Sequence, residues 1–455
     1  MTTSPTETLA DFAVGMQHAE LPQPVWGKAA VSLLDAVGLA LEGGGEPTAA
    51  ATRGLFLDRG RTEDTATVWC DGARLSLLDA VLVNGVCVHA HFQDDCDMTS
   101  WSHPGSLITP VAVCVAEWTG GSLEVALRGL VAGYAALTWL GADETVGRAV
   151  VSRGLRASPT LGPAAAAVAG SVALGLDASQ SRSAIGIAAD MSGGTLEPVR
   201  SGADDWRIQN GSAAWRGALA ALLARGGVLG SLAALEGPRG FAHAFAGLPA
   251  PPQWQQPPEA SSILGVWEKA FPTLGDNIAV SLAASELSRQ LPDTSSVTRI
   301  VVHQNAEFAS YPGTSFRGPF ERRAQAMAST AFAVAVSLLR GGITMDGYDD
   351  LLDDAEVARL IGVLTVHPEP GYAYTDGMVE VTCSGRVLSA AARDLPRTLL
   401  HRDAEEARRV FGRIADGRLV PAAAESFADA ILDQTPEGRS ADLKGVLRRL
   451  EISGP

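Results

Sequence analysis

The seventeen residues from His89 to Gly105, His-Ala-His-Phe-Gln-Asp-Asp-Cys-Asp-Met-Thr-Ser-Trp-Ser-His-Pro-Gly, hold three of the chain's eight histidines and three carboxylates. Apolar runs flank them, Leu75 to Val88 before and Leu107 to Glu117 after, so ionisable groups sit between segments predicted to be buried. Burial and neighbouring charge shift pKa values, and acid–base catalysis uses such shifted groups. Two other readings compete. His89 and His91 cannot share a helix face, yet an irregular loop can bring them to a metal with Asp94, Asp95 or Asp97. Alternatively the aspartates cap backbone N–H groups and His103 is satisfied in the core.

The elements that must position this stretch read as helices. From Leu9 to about Glu42 apolar residues recur at three and four, as in Ala30, Leu33, Leu34, Val37 and Leu41, until Gly43-Gly44-Gly45 ends the run. Further helical runs are predicted at about 46–58, 75–90, 107–119, 122–140, 161–174, 178–191 and 211–226, separated by Gly, Pro or Asp breaks. Ala and Gly crowd the contact positions, as in 162–170 and 213–223, which suits close helix packing; no Gly-x-Gly-x-x-Gly follows a strand. The proline-rich stretch 248–258 marks a boundary. Beyond it β patterns appear at 297–303, 360–367 and 378–383, with helices at about 276–289 and 322–339 between them. The predicted architecture is mainly α: a helical domain over 1–264, a smaller α+β lid over 265–395 with an antiparallel sheet, and helices over 396–455 returning to the first domain.

Composition narrows the function classes. With 455 residues, 46% hydrophobic and 19% charged, the chain can bury a large core. A net charge of −16 and a pI near 5.0 argue against nucleic acid or an anionic membrane as partner. Small acidic molecules remain possible ligands, since a few cations inside a cleft outweigh the global charge. The five cysteines, Cys70, Cys87, Cys96, Cys114 and Cys383, lack Cys-x-x-Cys spacing and read as free thiols, and the N-terminus has no signal-peptide pattern, so the expected location is cytoplasmic.

Several landmarks, in order, carry a family resemblance. Asn84-Gly-x-x-x-His-Ala90, Asp94-Asp95, His103-Pro-Gly105, Gly129-x-x-x-Gly-Tyr134, Thr160-Leu-Gly-Pro163, Gly211-x-Ala-Ala214, Leu235-Glu-Gly-x-x-Gly-Phe241 and Lys269-x-Phe-Pro272 resemble those of the MmgE/PrpD family, which includes 2-methylcitrate dehydratase, cis-aconitate decarboxylase and iminodisuccinate epimerase. The resemblance implies a helical domain with an α+β lid, a site at their junction, a homodimer, and neither metal nor organic cofactor. It implies proton abstraction next to a carboxylate or carbonyl, or loss of CO2, assisted by cations. His103 and Lys269 match the family's histidine and lysine. At other matched positions the chain departs: Phe92 replaces the first loop aspartate, Cys96 the loop threonine, Arg156 a histidine, Trp206 a lysine with Arg207 beside it, and Phe332 the lid tyrosine.

These departures shape the expectation. His103, Lys269, Asp94 and Asp95 form the expected catalytic set. Arg156, Arg207, Phe92, Cys96, Trp206 and Phe332 are expected to line the substrate pocket, the arginines binding carboxylate in pairs of hydrogen bonds. Dehydration of a hydroxy- or polycarboxylic acid is the leading expectation, ahead of decarboxylation; isomerisation, epimerisation or a cyclase-like step, and a non-catalytic binding role, are the alternatives. Aromatic replacements beside retained cations imply a larger, less charged substrate, as in a specialised biosynthetic pathway.

Overall fold

A computed structural model of the chain describes residues 3–57 and 65–452. The helices that frame the 89–105 loop start and stop where local chemistry requires. Ser76 accepts a hydrogen bond from the Asp79 N–H to open Leu77–His89. Pro104 occupies the first turn of Pro104–Thr119, where its missing N–H costs nothing. Ser122 caps Leu123–Gly141 in the same way as Ser76. With Ala157–Leu174, Ala178–Asp190 and Trp206–Arg225, these helices form the expected bundle. Gly85 and Gly211 let two of them touch: a Cβ on Gly85 would lie 2.7 Å from Gly211 Cα.

The expected single helix from Leu9 to Glu42 is instead two, Pro5–Met16 and Gln23–Gly43. Pro22 and Pro24 are the reason, since proline fits a first turn and breaks an interior. The proline-rich stretch 248–258 is not a loose linker. Trp254 is buried and stacks on Trp139 at 5.4 Å, its indole N–H donating to Trp139 O at 3.0 Å. In return Trp139 Nε1 donates to Gln256 O at 2.6 Å.

Two sheets form. β1 (Thr65–Thr67) pairs antiparallel with β2 (Arg74–Ser76). β3 (Val297–Asn305), β4 (Leu364–Glu369), β5 (Gly377–Cys383) and β6 (Arg386–Ala391) make a four-stranded sheet in the order β4-β3-β5-β6. The expected antiparallel sheet is a mixed one: β3 runs parallel to β4 and antiparallel to β5. The physical reason is the long helical connection from β3 to β4, which permits a parallel crossover. β5 and β6 are joined by Ser384-Gly385, both with positive φ, as a two-residue hairpin requires. β4 starts at Leu364 because residues 360–362 complete the helix Ala355–Gly362.

Buried apolar residues fall into two main clusters. One joins residues of 9–266 with Val410, Phe411, Phe427 and others of the last helices. The other gathers residues of 274–383 together with Phe92, Leu196, Val199 and Trp206. We propose that these are the cores of a helical domain and a lid, divided near residue 265 and again near 395. Among the described residues three helices, Gln23–Gly43, Leu123–Gly141 and Ala157–Leu174, are long and apolar enough to cross a membrane. However, 83%, 78% and 94% of their apolar windows are already buried within the fold.

Candidate active site

The 89–105 loop is fixed from both sides. Cys96 and Trp267 exchange backbone hydrogen bonds of 2.8 and 3.0 Å, stitching the loop to the segment that carries Lys269. The Asp95 carboxylate accepts from the Gly105 N–H at 2.6 Å and from Tyr134 OH at 2.7 Å. A Cβ on Gly105 would lie 2.9 Å from Asp95 Oδ1, so the cap requires glycine there. Asp97 accepts from Ser100 and Thr138 hydroxyls. Phe92 and Trp101 hold left-handed φ values of 56° and 58°, conformations that cost of order 1–3 kcal/mol for side-chain-bearing residues.

Asp94 pairs with His89. Its carboxylate lies 2.8 Å from His89 Nδ1 and accepts from Ser106 Oγ at 2.5 Å, while Asn210 donates to that hydroxyl at 2.8 Å. Across the ring, Arg156 Nη2 lies 3.0 Å from His89 Nε2. A guanidinium can only donate, so Nε2 is the acceptor and the proton sits on Nδ1, facing Asp94. Burial, opposed by Asp94 and assisted by Arg156 and Lys269, pushes the His89 pKa down to about 4. Asp94 is held well below the usual carboxylate range, against its burial, by His89, which hydrogen-bonds it, and by Lys269. His89 is therefore a neutral, fully engaged ring, and His91 turns toward Glu42, 3.9 Å away. The two histidines that a loop metal site would share diverge.

His103 is placed differently. Its Nδ1 lies 2.9 Å from the Asp95 backbone carbonyl, which only accepts, so Nδ1 carries the proton and Nε2 presents a lone pair. The backbone N–H of His103 donates to Ser158 Oγ at 3.1 Å. The ring is half-buried and lines a cavity shared with Phe92, Arg156, Ser158, Asp276 and Tyr311, under Trp101 and Phe308. Burial and then Lys269 lower the His103 pKa well below the ordinary value, so the ring is an unprotonated base. The cavity holds about 40 Å³, room for a few water molecules and not for a substrate.

The remaining expected residues divide. Arg156 is the cation on the cavity wall; it donates to Trp206 O, Gln209 and His89, and two of its five N–H groups have no protein partner among the described residues. Arg207 does not reach the cavity: it donates to Ala90 O and pairs with Asp204 and Glu46. Lys269 lies beneath it, donating to Phe92 O at 2.5 Å and Thr273 O at 3.3 Å, with Nζ 4.5 Å from the Phe92 ring. Cys96 lines the cavity, its thiol pushed far up by burial. Phe92 and Trp206 meet edge to face at 4.6 Å and line a second, apolar space with Val199, Leu274 and Met327. Phe332 lies in the lid core between Phe320 and Tyr348 and lines neither space. Sequence reasoning missed Asp276 and Tyr311, which reach the cavity from the lid; the only signal was their position soon after Lys269-x-Phe-Pro272 and β3.

The fold is a helical bundle followed by a small α+β unit, and residues of both line the cavity. Residues 7–253 match the MmgE/PrpD N-terminal domain, more than half the chain, and the protein belongs to the MmgE/PrpD family. It is also similar to the cis-aconitate decarboxylase-like protein OryM of Aspergillus oryzae, 27% identical over 385 residues, covering 79% of each chain.

Proposed function

We propose that the protein is a cofactor-independent lyase that dehydrates a hydroxy acid bearing one or two carboxylates and an apolar chain. The observation that carries this reading is His103: an unprotonated Nε2 on a cavity wall, with Arg156 the one lining cation among the described residues. Arg156 can take one carboxylate on its free N–H groups. A tricarboxylate would leave further charges against Phe92 and Leu274, and an unpaired buried charge costs several kcal/mol. The apolar space behind Phe92 holds only about 10 Å³, so an alkyl chain enters it as the Phe92 and Trp206 rings part, each buried methylene then contributing about 0.8 kcal/mol. We further propose a cytoplasmic homodimer serving a specialised biosynthetic pathway.

The name of the Aspergillus oryzae relative favours decarboxylation as a second reading. Incubation with 2-methylcitrate, cis-aconitate and alkyl-substituted hydroxy acids in deuterated water separates the outcomes by mass. Dehydration removes water, decarboxylation removes CO2, epimerisation exchanges one deuteron, and a binding protein does none of these. Equal turnover of small tricarboxylates with no gain on alkyl extension refutes the apolar-chain substrate. Dialysis against a strong chelator is expected to leave turnover unchanged; inactivation reversed by zinc or manganese refutes cofactor independence.

A further inference from the structure

Asp276 is a cavity carboxylate that neither the family landmarks nor the loop accounts for. It sits in the 3-10 turn Gly275–Asn277, which is pinned by Gln304 Nε2 donating to the Asp276 backbone carbonyl at 2.8 Å. The lid thus fixes its position. Its side chain is buried and lines the same cavity as His103, and among the described residues its carboxylate hydrogen-bonds only its own backbone N–H. The other charged or titratable groups around it are His103, Arg156, Tyr311 and Cys96 on the cavity wall and Lys269 beneath. Buried carboxyls are normally paired, so one left open toward a reaction cavity calls for a partner that arrives with the substrate.

We propose that Asp276 is the general acid of the site, delivering a proton to the departing hydroxyl while His103 acts as base; this rests on the lyase reading above. His103 Nε2 takes the proton from the carbon next to the carboxylate, and the C–H electron pair becomes the C=C bond. The C–O bond breaks with its pair on oxygen, and the Asp276 carboxylic acid gives that oxygen a proton. The products are the unsaturated acid and water. The enzyme is left with protonated His103 and ionised Asp276, and one proton passed between them through solvent restores both. Burial supports the assignment, raising the Asp276 pKa to about 7 with Lys269 only partly offsetting it, while the same burial lowers His103. Two groups driven apart in this way divide the acid and base roles.

The test uses citraconate, an unsaturated dicarboxylate resembling a product, titrated calorimetrically at pH 8 in two buffers of different ionisation enthalpy. Wild type is expected to take up close to one proton per citraconate bound, Asp276→Asn none, and Asp276→Glu to recover the uptake. On any hydroxy acid that wild type dehydrates, Asp276→Asn should lower kcat by roughly 10²–10⁴-fold and remove the alkaline limb of the pH profile. Equal proton uptake by wild type and Asp276→Asn overturns the assignment alone. Failure of citraconate to bind wild type overturns the carboxylic-acid reading and the assignment with it. A carboxyl NMR resonance that disappears in Asp276→Asn and titrates near 4 in the free enzyme also overturns the assignment, without touching the lyase reading.

Discussion

At the scale of single residues, two histidines in one loop have opposite duties because their ring nitrogens meet different partners. His89 is closed on both sides by Asp94 and Arg156, whereas His103 is tied only through Nδ1. His103→Ala is therefore expected to lower turnover by roughly 10²–10⁴-fold while the thermal midpoint changes little. Near-normal activity would remove His103 from the mechanism. Arg156→Leu should raise the His89 pKa from about 4, because it deletes a nearby positive charge and frees Nε2 to take a proton. An imidazole NMR titration reads this directly, and an unmoved His89 resonance would refute the tautomer assignment.

At the scale of elements, a polar cluster beside the cavity ties the helical bundle to the α+β unit. Tyr374 OH donates toward Glu307 at 2.9 Å and also contacts Glu144, Arg148 pairs with both carboxylates, and Trp101 Nε1 donates to Glu144 at 3.1 Å. Ala142, Asp143 and Glu144 all have positive φ, so this corner is held by its contacts rather than by backbone preference. Tyr374→Phe removes the shared hydroxyl at a cost of about 1.4 kcal/mol to closure, a factor of ten in the open population. Hydrogen exchange at amides 306–311 is expected to quicken about tenfold. No change there would mean that the lid is held elsewhere.

For the whole molecule, buried acids set the pH dependence of stability. Asp95 is pushed up to about 8 and Asp276 to about 7, in both cases chiefly by burial. A carboxyl raised in the folded state contributes stability that is complete below its unfolded pKa and is lost as pH rises through the folded value. His89, lowered to about 4, works the other way: its contribution is present above about 6.5 and lost as pH falls toward 4. Between pH 6.5 and 8 only the acids act, so unfolding free energy should fall by about 2 kcal/mol across that window. Asp95→Asn should flatten the slope in thermal denaturation. Stability that is level or rising from pH 6.5 to 8 would contradict the raised Asp95.

Much of this was legible in the sequence, and what was not has a physical cause. Periodicity of three and four with alanine and glycine at contacts determined a close-packed helical bundle, and the β patterns determined that strands follow it, though not their directions. The clustered His89–Gly105 stretch, Lys269 and the ordered landmarks determined the family. Partner choice was decided only by tertiary packing. Asp94 took His89 rather than His103 because Arg156, 67 residues away, fixes the far side of the His89 ring. Arg207 folds back over the ring of its neighbour Trp206, 4.3 Å from the ring centroid, and pairs with Glu46, a residue far away in the chain. Strand direction depended on the β3–β4 crossover, and Asp276 and Tyr311 entered the cavity only through docking of the lid. Local pattern encodes which face a residue occupies, whereas the pairing of buried polar groups depends on how faces distant in the chain are brought together.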